Sequence, residues 1–169
     1  MNSSDVPDPA APDTCLWQTF DATLLQGYRT ASGFNGNPYF PGGTLAMQEP
    51  FFKKLGVDLS PFYRGTLNAG ISPLSYRVLK PRITLRNVKW HPIDPAEDFS
   101  FIDIRLLHGG KIFEGLVYYP HPETKPKHFQ RADVLELLFP FIEGIHYGDT
   151  LHLQAPRTQL LVELPQQPN

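Results

Sequence analysis

The sequence predicts an all-β protein with one short helix, its strands closed into a barrel. Three observations carry this. Several runs alternate apolar and polar residues, the period of a half-buried strand. Proline accounts for 18 of 169 residues and glycine for 13; average proline usage is about 5%, so the chain is punctuated by turns. Only one segment has a helical pattern, which leaves little for the helical layers of an α/β fold.

The length suits one domain with a sizeable core. The reading is a flexible tail over residues 1–14, a single domain over 15–164 and a frayed end over 165–169. Hydrophobic residues are 41% and charged residues 19%, as in a folded soluble protein rather than a disordered one. Net charge is −2 and the pI is near 6.3. No basic excess points to nucleic acid as a partner. No apolar run is long enough for a membrane span, and the N-terminal residues lack a signal peptide's basic start and apolar run. Cys15 is the single cysteine, which excludes an internal disulfide and suits a reducing, cytoplasmic setting. His121 and His128, or His146 and His152, do not have zinc-site spacing, so the histidines read as ordinary surface or hydrogen-bonded ones.

Taken in order, Cys15–Phe20 reads as a first strand and Leu24–Ala31 as a second. Ser32–Gly43 is dense in Gly, Asn and Pro, which supply turn conformations. Such a loop serves either as a long connection or as a nest of N–H groups for an anion. It lacks the Gly-Lys-Ser/Thr ending of a P-loop. Thr44–Leu55 is the helix. Thr44 suits the N-cap, Leu45, Phe51, Phe52 and Leu55 supply an apolar face, and Gly56 stops it. Pro50 argues for a late start near Gln48 or Glu49. Lys53 and Lys54 suit its C-terminal end. Further strands follow at Arg82–Trp90, Phe99–Leu107, Lys111–Tyr119 and Gln159–Leu164, with a hairpin turn at His108-Gly109-Gly110. Val134–Pro140 reads as strand or short helical turn, and Leu151–Gln154 as extended after the turn Tyr147–Thr150.

The stretch Phe62-Tyr63-Arg64-Gly65-Thr66-Leu67-Asn68 opens the longest strand-like run. In an extended chain Thr66 and Asn68 share one face, their Cα atoms roughly 6.6–7 Å apart, while Leu67 points to the core. A hydroxyl and an amide carbonyl side by side are hard oxygen donors of the kind Mg²⁺ accepts beside water and phosphate. A plain strand after a turn would carry the same residues facing water.

With these residues in hand the chain resembles the CTP-dependent riboflavin kinases known chiefly from archaea. The resemblance runs from about residue 25 to about residue 155. It rests on the order of the Gly-rich loop, Phe52-Lys53-Lys54-Leu55-Gly56, Gly65-Thr66-Leu67-Asn68, Phe113–Pro120, His128, Asp133–Leu138 and Gly148-Asp149. It implies a small six-stranded cradle-loop barrel that transfers the CTP γ-phosphate to the 5′-hydroxyl of riboflavin, giving FMN and CDP. Thr66 and Asn68 match the family's magnesium ligands. Ser32, Gly33, Phe34, Asn35, Gly36 and Asn37 match its nucleotide-binding loop. Glu136 matches a carboxylate at the flavin's ribityl or phosphate end and is the candidate for accepting the hydroxyl proton. His128 and Thr124 are the remaining flavin-side candidates. Phe113, Tyr118 and Tyr119 supply either flanking rings for the isoalloxazine or core.

Several positions depart from the family. Its Gly-Leu-Gly-Glu-Gly loop reads Gly33-Phe34-Asn35-Gly36-Asn37 here, and Pro38 removes an N–H donor. Its Arg-Thr before the histidine reads Pro126-Lys127, so only Thr124 is left to supply that hydroxyl. Its Asn-Leu-Arg after the glutamate strand reads Phe141-Ile142-Glu143-Gly144, where Glu143 repels phosphate; Arg64 or Lys127 are the cations at hand to compensate. Three functions therefore stand beside one another: an active kinase of this type, a silent flavin- or nucleotide-binding module, and a structural or interaction barrel.

Overall fold

The structure, a computed structural model, describes residues 16–27, 36, 42–125 and 131–167. In chain order the elements are β1 (Trp17–Leu25), α1 (Thr44–Lys54), β2 (Leu67–Gly70), β3 (Ser75–Val78), β4 (Ile83–Val88), β5 (Glu97–His108), β6 (Lys111–Pro120), β7 (Val134–Leu138), β8 (Thr150–Pro156) and β9 (Leu160–Glu163). Six strands close into an antiparallel barrel in the order β5-β6-β7-β2-β1-β8, with β8 returning to β5. The closing register is Arg105↔Gln154, Leu106↔Leu153, Leu107↔His152. Closure removes the exposed edges of an open sheet. The first part of β5 pairs instead with β4, from Ile83↔Phe101 to Val88↔Glu97. β3 and β9 form a separate two-stranded ribbon.

Side-chain alternation sorts residues into two cores, one on each face of the sheet. Phe20, Ala22 and Leu24 of β1, Ala69 of β2, Ile102, Ile104 and Leu106 of β5, Leu135 and Leu137 of β7, and Leu151 and Leu153 of β8 fill the barrel. The opposite face of β4–β7 presents Leu85, Val88, Phe99, Phe101, Leu116, Tyr118 and Leu138 to Leu45 and Phe52 of α1 and to Val57 and Leu59 after it. Phe52 meets Phe99 and Phe101 edge-on, with ring centroids 4.8 and 5.4 Å apart, a favoured aromatic arrangement. Gly115 is required where β6 passes the end of β7, because a Cβ there would lie 2.2 Å from the Leu138 carbonyl oxygen.

The closed all-β barrel with one helix agrees with the sequence expectation, and six of its strands build the wall. Several boundaries differ. The strands expected at Cys15–Phe20 and Leu24–Ala31 are joined over their described parts into β1, because Asp21 and Thr23 are the outward steps of an unbroken alternation with Phe20, Ala22 and Leu24; Cys15 and residues 28–31 lie outside the described residues. β7 is strand rather than helical turn. β3 was not foreseen, being four residues of mixed polarity with no clear period.

The helix begins at Thr44, before Pro50 rather than around it, and its N-cap is Gly43, with no side-chain cap from Thr44. A proline inside a helix costs about 3 kcal/mol. Burial of Leu45 and Phe52 together, at about 1.5–3 kcal/mol each, offsets that. Phe51 and Leu55, expected on the apolar face, are 37% and 49% exposed; Gln48 takes the buried position between Leu45 and Phe52. Gly56 ends the helix as expected, with φ 99°. The turn Gly109-Gly110, at φ 58° and 74°, joins β5 to β6, the primed geometry that matches strand twist.

Candidate functional site

Thr66 and Asn68 stand at the start of β2, on the face turned away from the barrel interior. Pairing with β7 sets Leu67 opposite Leu137 and Asn68 opposite Glu136. Directly opposed residues share a face, so Glu136 joins Thr66 and Asn68 while Leu67, Ala69, Leu135 and Leu137 point into the barrel. The Thr66 hydroxyl donates to Glu136 Oε1 at 3.5 Å, a long contact. The side-by-side placement of Thr66 and Asn68 matches the sequence reading. Their proximity to Glu136 was implied only by the resemblance.

Burial raises the Glu136 carboxyl above its ordinary value; the charge of Lys125 and the hydrogen bond from Thr66 pull the other way. The register Val117↔Leu137 continues to place Tyr118 beside Glu136 on the same face. Burial, and secondarily the charge of Glu136, pushes the Tyr118 phenol well up. That phenol donates to Gln48 Oε1 of α1 at 2.7 Å, inside the second core. The row Asn68–Glu136–Tyr118–Gln48 therefore links the oxygen set to the helix. Of the three candidate flanking rings, Tyr118 is core, and Phe113 and Tyr119 pack half-buried against the barrel interior. Tyr119 also meets Tyr76 edge-on at 6.3 Å. Burial first, then the charges of Tyr119, Glu136 and Asp133, pushes the Tyr76 phenol up.

Gly27 completes the geometry from β1. The register Leu25↔Asn68 brings the chain leaving β1 alongside Asn68. A Cβ on Gly27 would lie 2.0 Å from Asn68 Nδ2 and 3.0 Å from its Cγ. Only glycine leaves room for that amide. The expected nucleotide-binding loop begins further on, at Ser32. Of its residues only Gly36 is described, at φ 66°; Ser32, Gly33, Phe34, Asn35 and Asn37 lie outside the described residues, as do His128, Pro126, Lys127, Cys15 and the tail 1–14.

Thr124 is described, on the turn after β6. Its hydroxyl donates to the His121 carbonyl at 3.1 Å and accepts the Asp98 N–H at 2.9 Å. It holds the turn that carries Lys125. Arg64, a candidate compensating cation, forms an ion pair at 3.0 Å with Glu49 of α1.

A cavity of about 540 Å³ is not formed by these oxygens. It opens at one end of the barrel beside β2 and is lined by Leu24, Gly65, Leu67, Tyr63 and residues 139–147. Gly65 and Leu67 flank Thr66, so cavity and oxygen set sit on two sides of one short segment, and neither Thr66, Asn68 nor Glu136 lines the cavity. Sequence reasoning did not find this cavity or the roles of Gly27, Gln48 and Lys125. The glycine beside the loop was the one available signal.

Elsewhere, Ser100 Oγ lies 2.7 Å from His121 Nε2, and His121 Nδ1 lies 2.9 Å from Glu123 Oε1. That order resembles a hydrolase relay. Ser100, however, is fully buried, and its hydroxyl also meets Thr84 Oγ1 at 2.7 Å. No substrate reaches it, and the chain of groups ties β4 and β5 to the turn after β6. Among the described residues no three His, Cys, Asp or Glu side chains come together to hold a metal, and no helix is long and apolar enough to cross a membrane. No protein-family model matches the chain, and no curated protein matches it significantly.

Proposed function

We propose that the chain is a phosphotransferase that moves the γ-phosphate of a nucleoside triphosphate to the 5′-hydroxyl of riboflavin, giving FMN, as the resemblance to CTP-dependent riboflavin kinases implies. The observation that carries this is the convergence of Thr66, Asn68 and Glu136 on one face across β2 and β7. Phosphoryl transfer asks little covalent chemistry of the protein; it asks for in-line positioning and neutralised charge.

Mg²⁺ fits the residues present. A hydroxyl, a carboxamide and one carboxyl whose proton affinity is raised by burial make a weak hard-oxygen set, suited to an ion that arrives with a phosphate rather than one held permanently. Thr66 and Asn68 would hold it, and it would supply charge neutralisation on the phosphate oxygens. Glu136 orients the acceptor hydroxyl and takes its proton as the new P–O bond forms and the bond to the leaving nucleoside diphosphate breaks. Its raised proton affinity makes it a better base than an exposed carboxylate. Lys125, whose charge acts on Glu136, limits that rise.

The test is to mix riboflavin and Mg²⁺ with CTP, ATP, GTP or UTP in turn and separate the products by chromatography. FMN is expected with at least one nucleotide, and Thr66→Ala or Asn68→Ala removes it. Absence of FMN with all four sinks the proposal. One observation favours a silent binding module instead: among the described residues, no lysine or arginine lines the cavity. That reading expects bound flavin or nucleotide without turnover.

A further inference from the structure

The cavity beside β2 has the chemistry of a site, and its walls bear on the ligand. This inference rests on the phosphotransfer reading for the ligand's general class. Among the described residues, the polar side chains that line the cavity are Tyr63, Glu143, His146 and Tyr147, and none of these is a lysine or arginine. A triphosphate does not lodge against such walls; an uncharged ring does. Tyr63 and Phe141 stand with ring centroids 6.0 Å apart, inclined at 53°, and are 44% and 70% exposed. They offer a planar ring a large aromatic surface. Gly65 and Leu67 of the lining flank Thr66, so the cavity lies on the other side of the short segment that carries the oxygen set.

Stacking does not choose among bases, since each has a π-face. Glu143 does choose. An ionised carboxylate only accepts hydrogen bonds and can take two in parallel. Guanine presents N1–H and N2–H₂ side by side. Cytosine and adenine place an amino donor next to a ring-nitrogen acceptor. Uracil and the isoalloxazine place one N–H between two carbonyls, whose oxygens a carboxylate repels. We infer that this cavity takes the base of a guanine nucleotide, with Glu143 as the specificity-determining residue, in place of the CTP that the resemblance implies.

The experiment is calorimetric titration of the full chain with Mg²⁺ and GDP, CDP, ADP or UDP, and separately with riboflavin, on wild type and Glu143→Gln. GDP is expected to bind about tenfold more tightly than the others, a modest effect for a bidentate pair because Glu143 is exposed. Glu143→Gln brings GDP to the level of CDP and leaves CDP unchanged. The inference is overturned if CDP binds as tightly as GDP, if Glu143→Gln leaves GDP affinity unaltered, if riboflavin competes with GDP, or if no nucleotide binds. The two proposals fail separately. GDP selection without FMN from any triphosphate sinks phosphotransfer and keeps the guanine site. FMN made best from CTP does the reverse.

Discussion

Gly27→Ala disturbs the oxygen set without removing any of its members. The added Cβ would lie 2.0 Å from Asn68 Nδ2, against ordinary contacts of about 3.4–4 Å. The amide end must swing by about 1.4 Å or more. That end is the far tip of a flexible side chain, so the cost to the fold is a strained rotamer, about 0.5–1.5 kcal/mol. Gly27 is not among the glycines with positive φ, so alanine adopts its backbone, and the lost freedom of the unfolded chain returns about 0.4–1 kcal/mol. The net shift in Tm is within about 4 °C. Catalysis responds differently, because a displacement near 1 Å at a positioned group costs about 10²-fold. FMN formation, measured by chromatography across a Mg²⁺ titration, is expected to fall about a hundredfold, with a higher Mg²⁺ requirement, while scanning calorimetry shows a nearly native melt. Wild-type rate and Mg²⁺ dependence would refute the place of Asn68 in the site. A fall in Tm of 10 °C or more would show instead that Gly27 serves only packing.

Two further outcomes follow from the same row of side chains. Glu136 has a raised folded-state pKa because of burial. Stability tied to its proton is present below the ordinary glutamate range and is lost as pH rises through the folded value. Glu136→Gln should therefore melt higher than wild type at pH 8 and lose that advantage near pH 4, while FMN formation is abolished; an advantage that persists at pH 4 would contradict burial as the cause. Tyr118→Phe leaves the Gln48 carbonyl, buried in the second core, without its donor, at about 1–3 kcal/mol, and calorimetry should record a Tm lower by several degrees. An unchanged melt would mean that water replaces the phenol.

Local sequence carried the fold class because strand alternation and turn chemistry act over a few residues. Phe20, Ala22 and Leu24 against Asp21 and Thr23, or Gly109-Gly110 between two apolar runs, can be read without knowing what they pack against. The shared face of Thr66 and Asn68 is legible for the same reason. The helix was legible in place but not in face. Its apolar stripe includes Gln48, whose burial depends on a phenol seventy residues away, and it excludes Phe51 and Leu55.

What tertiary structure alone decided is register between distant strands. Nothing within β2 says that Asn68 lies opposite Glu136, nothing near β1 says that Gly27 leaves room for the Asn68 amide, and nothing in Tyr63 says that its ring meets that of Phe141 beside a cavity. A strand's side-chain period is set by its own backbone. The partner each residue meets is set by how six strands share one closed wall, and slipping any pairing by one residue would turn the carboxylate into the barrel and a leucine out in its place.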